Sequence, residues 1–102
     1  METLIANRPV EVNEQGYLLH MDQWDKEIAR YIAAEEDIEL TDRHFEILQY
    51  LRDEQEKGTA LSIRRVGKSG VVDIKEFYKL FPNGPLKKAS RIAGIPKPAS
   101  CI

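Results

Sequence analysis

Apolar and polar positions alternate along the chain first with a period of two and then, from Asp22 onward, with a helical period. Val10 and Val12 flank the polar Glu11. Asn13-Glu-Gln-Gly16 follows as turn chemistry and Tyr17-Leu-Leu19 as a return strand, so this stretch predicts a β-hairpin. A lone hairpin is marginal in water and must pack on the elements that follow. Asp22 suits the start of a first helix, because a carboxylate accepts orphan N–H bonds and complements the helix dipole. Trp24, Ile28, Tyr31 and Ile32 then recur at helical spacing and are expected to face the core. Thr41 is the expected cap of a second helix, with Phe45, Leu48 and Leu51 near one face, Ile47 beside it and Gly58 just past its end. Leu61 to Val66 predicts a short helix, with Gly67 and Gly70 as breakers. Asp73 opens another helix, whose apolar stripe is Ile74, Phe77, Tyr78 and Phe81. Pro82-Asn-Gly-Pro85 is a tight turn, and Pro85 suits the first position of a last helix running through Leu86, Ala89 and Ile92 to Gly94.

The end of the chain differs in kind. Pro96 and Pro98 exclude regular helix and favour an extended, polyproline-like path. The expected organisation is one helical domain over residues 1–93 and an arm over residues 94–102. Gly94 is the arm's bend, and Pro96 and Pro98 stiffen it. Such an arm can hold a terminal side chain away from the body.

A length of 102 residues fits a single domain with a modest core. No apolar run approaches the roughly 18 residues that span a membrane. The start, Met1-Glu-Thr-Leu4, has neither a basic region nor an apolar one, so no signal peptide is visible and the expected compartment is the cytoplasm. A single cysteine allows no internal disulfide, in keeping with a reducing environment. Charge changes the picture more. Residues 1–56 carry fifteen acids and five bases, whereas residues 57–102 carry two acids and ten bases. The basic half, with Arg64, Arg65, Lys68, Lys87, Lys88, Arg91 and Lys97, either meets an anionic partner or is neutralised by the acidic half in the fold.

Chemistry has few candidates. Cys101, next to the chain end, is the only thiol. Lys97 favours its thiolate and the carboxylate of Ile102 disfavours it, so the direction of its pKa is not set by sequence. Taken alone it reads first as an incidental surface thiol; a proline-stiffened arm ending in it argues for use. One Cys and two distant His, His20 and His44, offer no metal-ligand spacing, and no cofactor motif is present. His44 is expected at a helix surface or in packing. There is no nucleophile elbow, paired-carboxylate site or phosphate loop, so a stand-alone enzyme with its own cleft is not indicated. The second helix and the short helix bearing Arg64 and Arg65 also fit a helix-turn-helix-like nucleic-acid binder. That reading is the weaker one, because the recognition element is short and offers little beyond two arginines to read base edges.

Two stretches carry a resemblance to a known family: Leu80-Phe-Pro-Asn-Gly-Pro85, and Lys88-Ala-Ser-Arg-Ile-Ala-Gly-Ile-Pro-Lys-Pro-Ala-Ser-Cys-Ile102. Weaker matches are Glu14 with Gly16-Tyr-Leu18, Trp24, Leu40-Thr41 with His44-Phe-Glu46, Leu51-Arg-Asp53 and Ile63-Arg64. Together they make the chain resemble the DsrC/TusE family of sulfur carriers. The resemblance implies a mainly α fold, a small orthogonal helical bundle with an N-terminal β-hairpin and an extended, mobile C-terminal arm. It implies that Cys101 accepts sulfur as a persulfide from a TusBCD- or DsrEFH-like donor complex. The sulfur then passes to an MnmA-like tRNA thiolase or a sulfite-reductase-type enzyme, with tRNA involved only indirectly. Lys97, Arg64, Lys87, Lys88 and Arg91 become candidate docking residues. Ser90 stands eleven positions before Cys101, where DsrC proper has a second cysteine. A serine hydroxyl cannot carry sulfane sulfur, so the single-cysteine pattern favours the TusE side and wobble-uridine thiolation over dissimilatory sulfur metabolism. The stretch between Ile63 and Tyr78 is shorter than in the family, which bears on contacts to donor and acceptor.

Overall fold

The structure, a computed structural model, describes residues 1–98; Cys101 and its neighbours from Ala99 on lie outside the described residues. Two strands, β1 (Glu2–Ile5) and β2 (Arg8–Glu11), form an antiparallel ribbon. A single turn of 3-10 helix at Met21–Gln23 precedes α1 (Lys26–Glu35). Then come α2 (Asp42–Glu56), α3 (Ile63–Lys68), α4 (Ile74–Leu80) and α5 (Pro85–Ile92). The mainly α bundle with an N-terminal hairpin is therefore as expected.

The hairpin sits earlier than the pattern predicted. Its turn is Ala6-Asn7, both at positive φ (53° and 65°), which matches the right-handed twist of the two strands. No glycine marks that turn, and Pro9 argues against a strand; yet Pro9 faces Leu4. Pairs alternate outward from the turn, so Leu4–Pro9 is a non-hydrogen-bonded pair and the missing N–H is not needed. The predicted pairing of Val12 with the Tyr17–Leu19 segment survives as one bridge, Val12 to Leu18. It is flanked by bonds from Leu19 N to Glu11 O and from Asn13 N to Tyr17 O.

Helix starts follow local side-chain chemistry. Asp25, rather than Asp22, caps α1 by accepting from Ile28 N at 3.0 Å. Trp24 is consequently outside the helix, and Tyr31 is 45 % exposed instead of facing the core, while Ile28 and Ile32 are buried. Thr41 caps α2 as predicted, and the reciprocal partner is His44: Thr41 N donates to Nδ1 at 3.1 Å. With Nδ1 accepting, Nε2 carries the proton and donates to Leu80 O at 3.0 Å. His44 is buried and meets the ring of Phe81 edge-on at 5.2 Å, a packing role. Asp73 caps α4, whose Phe77 is buried, as is Phe81 just beyond it, whereas Ile74 and Tyr78 remain about half exposed.

Gly67 is a correction. It lies inside α3 rather than ending it, and a Cβ there would stand 2.4 Å from Ile74 Cγ1. The glycine serves close approach of α3 to α4. Gly70, at φ +84°, does the breaking.

The core gathers on α5, which packs against α1, α2 and α4. Leu86, Ala89, Ser90 and Ile92 are buried on it, and Ala93 and Ile95 continue the buried set. Eight residues cannot sustain an isolated helix, so α5 exists by its packing.

The Arg8 guanidinium and the N–H of Ile28 hold the Asp25 carboxyl down to about 2, from 3.8. A carboxylate with a depressed folded pKa contributes stability above its unfolded value and loses it as pH falls through the folded one. Acid unfolding should therefore show a contribution disappearing between about pH 4 and 2 that is absent in Asp25→Asn. Asp25→Ala, which also loses the cap, should cost about 1 kcal/mol at neutral pH. Chemical denaturation monitored by circular dichroism across this range measures both.

Candidate functional site

The described residues that lead to Cys101 are those at the end of α5, and the chain folds there for reasons that can be followed bond by bond. A helix leaves its last four carbonyls without intrahelical partners. In α5 all four are met. Gly94, at φ +71°, turns the chain left-handed, so that Gly94 N donates to Arg91 O and Ile95 N to Ser90 O, each at 3.2 Å. The indole Nε1 of Trp24 donates to Ile92 O at 2.7 Å. Arg52 Nη1 donates to Ala93 O at 2.8 Å, and its Nη2 to Met21 O at 2.9 Å.

Trp24 and Arg52 also hold one another, with the guanidinium 4.3 Å from the ring centroid. Burial lowers the Arg52 pKa, against the pull of Glu56 and Asp53. The charge persists, since an arginine starts far above neutrality, and it sits at the negative end of α5. Gly94 lies on the same ring: a Cβ there would stand 2.4 Å from Trp24 Cδ1. Gly94 and Ile95 are buried, and exposure begins at Pro96 and Lys97, with Pro98 half-buried. Gly94 thus acts as a fixed corner of the body.

Sequence reasoning missed the role of Arg52. The signal was there: a charge at helical spacing from Phe45 and Leu48, within the apolar stripe of α2. Trp24 was expected in the core, but only as part of a helical face.

The predicted docking cations separate into two places. Arg64 is exposed on α3 and lines a groove with Arg65, Lys68 and, from α2, Tyr50 and Glu54. Lys87, Lys88 and Arg91 line another with Tyr17, Glu36 and Asn83. Two of these three are already engaged by the acidic half. Arg91 bonds Glu35 at 2.7 Å and Glu36 at 3.0 Å, and Lys88 approaches Glu36 at 3.6 Å. Neutralisation between the halves is real here, whereas Arg64, Lys87 and Lys97 are exposed and form no ion pair among the described residues. Ser90 is fully buried in α5, and its hydroxyl has no hydrogen-bond partner among the described residues. No cluster of three or more metal-ligating residues occurs among the described residues. No helix among them is long and apolar enough to cross a membrane.

The fold and this C-terminal root define a small helical domain with an N-terminal hairpin. Comparison with known proteins gives the class. Residues 4–102 match the family model described as DsrC like protein. A Haemophilus influenzae protein named sulfurtransferase TusE homolog is 43% identical over 101 residues, covering 91% of this chain and 93% of that one. The dissimilatory-type sulfite reductase subunit gamma of Nitratidesulfovibrio vulgaris is 37% identical, covering 99% and 98%. The crystal structure of the oxidized gamma-subunit (DsrC) from Archaeoglobus fulgidus superposes with a TM-score of 0.81 at 36% identity, covering 100% of both chains. The chain belongs to the DsrC/TusE family of sulfur-carrier proteins.

The clamp can be tested directly. Trp24→Phe keeps the ring and removes one donor, which should cost about 1–2 kcal/mol. Arg52→Met strands the Ala93 carbonyl, leaves Met21 O with only the Trp24 N–H, and should cost about 1–3 kcal/mol. Gly94→Ala adds left-handed strain to a clash with Trp24 and should cost about 3 kcal/mol. Urea unfolding of each variant measures these losses.

Proposed function

We propose that the protein is a sulfur-relay carrier that accepts persulfide sulfur on Cys101 and delivers it to an acceptor protein. The observation that carries this reading is the terminal Ile95-Pro-Lys-Pro98 segment leaving a clamped root and leading, three residues on, to the chain's only cysteine. Membership of a sulfur-carrier family supports it. The Cys101 thiolate attacks the outer sulfur of a donor persulfide. A new S–S bond forms to Cys101, the donor S–S bond breaks, and the donor cysteine leaves as thiolate. The acceptor's cysteine thiolate then attacks the outer sulfur of Cys101-S-SH, and the Cys101 thiolate departs. No oxidant or reductant is consumed in either exchange.

Such a protein needs reach and docking rather than a pocket. Pro96 and Pro98 limit the conformational freedom lost when the segment enters a partner's site, and the fixed corner at Gly94 defines where it starts. Lys97 beside the cysteine favours thiolate or contacts the partner. Arg64 and Lys87, exposed and without ion pairs among the described residues, are the better docking candidates; Lys88 and Arg91 are largely committed to Glu35 and Glu36. The partners are a sulfur-donating complex and a persulfide-accepting enzyme, in a cytoplasmic pathway. Ser90 in place of a second cysteine, together with the sulfurtransferase relatives, favours delivery toward tRNA wobble-uridine thiolation over service to a sulfite reductase.

Intact mass after incubation of the reduced protein with a persulfide donor should rise by one sulfur. The addition should be removed by reductant and be absent in Cys101→Ser. No uptake under conditions that load an authentic carrier would sink the proposal.

A further inference from the structure

The arginines of this chain are nearly all occupied. Arg8 pairs with Asp25, Arg43 with Glu46 and Glu76, Arg91 with Glu35 and Glu36, and Arg52 is consumed by the clamp. Arg30 lies over the ring of Phe45. Arg64 and Arg65 are the exceptions: both are exposed on α3 and neither has an ion-pair or ring partner among the described residues. Lys68, one turn on from Arg64 and Arg65, is likewise exposed and unpaired among those residues.

These three cations line one groove of about 520 Å³ against Tyr50 and Glu54 of α2. The hydroxyls at its ends are spent inside the fold. Ser62 Oγ accepts from Arg65 N, and Ser69 Oγ donates to Val66 O and accepts from Val71 N. Glu54 is held by Lys57 at 3.2 Å. What remains free is two guanidinium forks and an ammonium beside a half-buried tyrosine.

We infer that this groove is a docking surface for an acidic segment of a partner protein. Guanidinium forks match carboxylates two bonds at a time. A nucleic acid fits less well. The free cations span only the six residues of α3, too short a stretch to track a phosphate backbone.

The placement matters for transfer. Tyr50 and Glu54 are one turn apart on α2, and Arg52 between them is rotated by about 200° from Tyr50. Arg52 grips the root of the terminal segment, so the groove lies on the opposite side of α2 from that root. A partner seated on the groove leaves the root uncovered. That consequence for delivery of Cys101 rests on the relay reading; the groove's affinity for acidic segments does not.

The test is a titration of the isotope-labelled full chain, followed by amide NMR, with a hexaglutamate peptide and with a single-stranded RNA of equal charge. Peptide-induced shifts should centre on Tyr50, Arg64, Arg65 and Lys68. Affinity should fall about tenfold in Arg64→Glu with Arg65→Glu, and also with added salt. The milder pair Arg64→Gln with Arg65→Gln should show an intermediate loss should the reversal disturb the fold. Shifts spread equally over Lys75, Lys79 and Lys87, undiminished binding by a folded variant, or tighter binding of the RNA at the same residues would each overturn the inference. Sulfur uptake in the same samples is read separately. Its absence from the unsubstituted chain would remove the relay reading while the peptide result stands.

Discussion

Four carbonyls at the end of α5 set the terms for the rest of this molecule. An eight-residue helix at the centre of a bundle cannot leave its terminal C=O groups bare, because each would be desolvated without a partner. Two are closed locally by the left-handed turn at Gly94. The other two are closed by Trp24 and Arg52, which come from the stretch before α1 and from α2. The N-terminal segment, the second helix and the C-terminal root are thereby tied at one point. Arg52 supplies a charge where the helix dipole is negative, and the indole supplies both a donor and a face for the guanidinium. Neither could be replaced by a residue that only fills space.

This junction also bears on the proposed carrier role. The bundle offers no deep catalytic cleft among the described residues, and the proposed transfer needs none. What it needs is a defined point from which the terminal residues depart. Gly94 and Ile95 are buried, and Pro96 is the first exposed residue after them.

The charge segregation of the sequence resolves into two uses. Glu35 and Glu36, at the end of α1, draw in Lys88 and Arg91 of α5, which fastens the acidic half to the basic half across the core. Arg43 ties α2 to Glu76 of α4 in the same way. The cations of α3 have no ion-pair partner among the described residues, and the proposed docking surface rests on that.

Local chemistry determined much of this protein. The cap at Thr41, the stop at Gly58, the start at Asp73 and Pro85 at the head of α5 were legible because each depends on a few adjacent residues. The family resemblance was legible for the same reason, since its strongest motifs are continuous in sequence. The hairpin was displaced because its turn, Ala6-Asn7, carries a weak signal beside the strong one at Asn13–Gly16. Tyr31, Ile74 and Tyr78 kept helical spacing but face outward, since periodicity does not say how wide a stripe the neighbours cover. Gly67 and Gly94 read as breaker and bend, and only the positions of Ile74 and Trp24 reveal that both are there to admit a side chain against the backbone. Arg52 stood in the sequence only within the Leu51-Arg-Asp53 match, with no role assigned. Its partners lie 31 and 41 residues away, and such contacts exist only once the chain has folded.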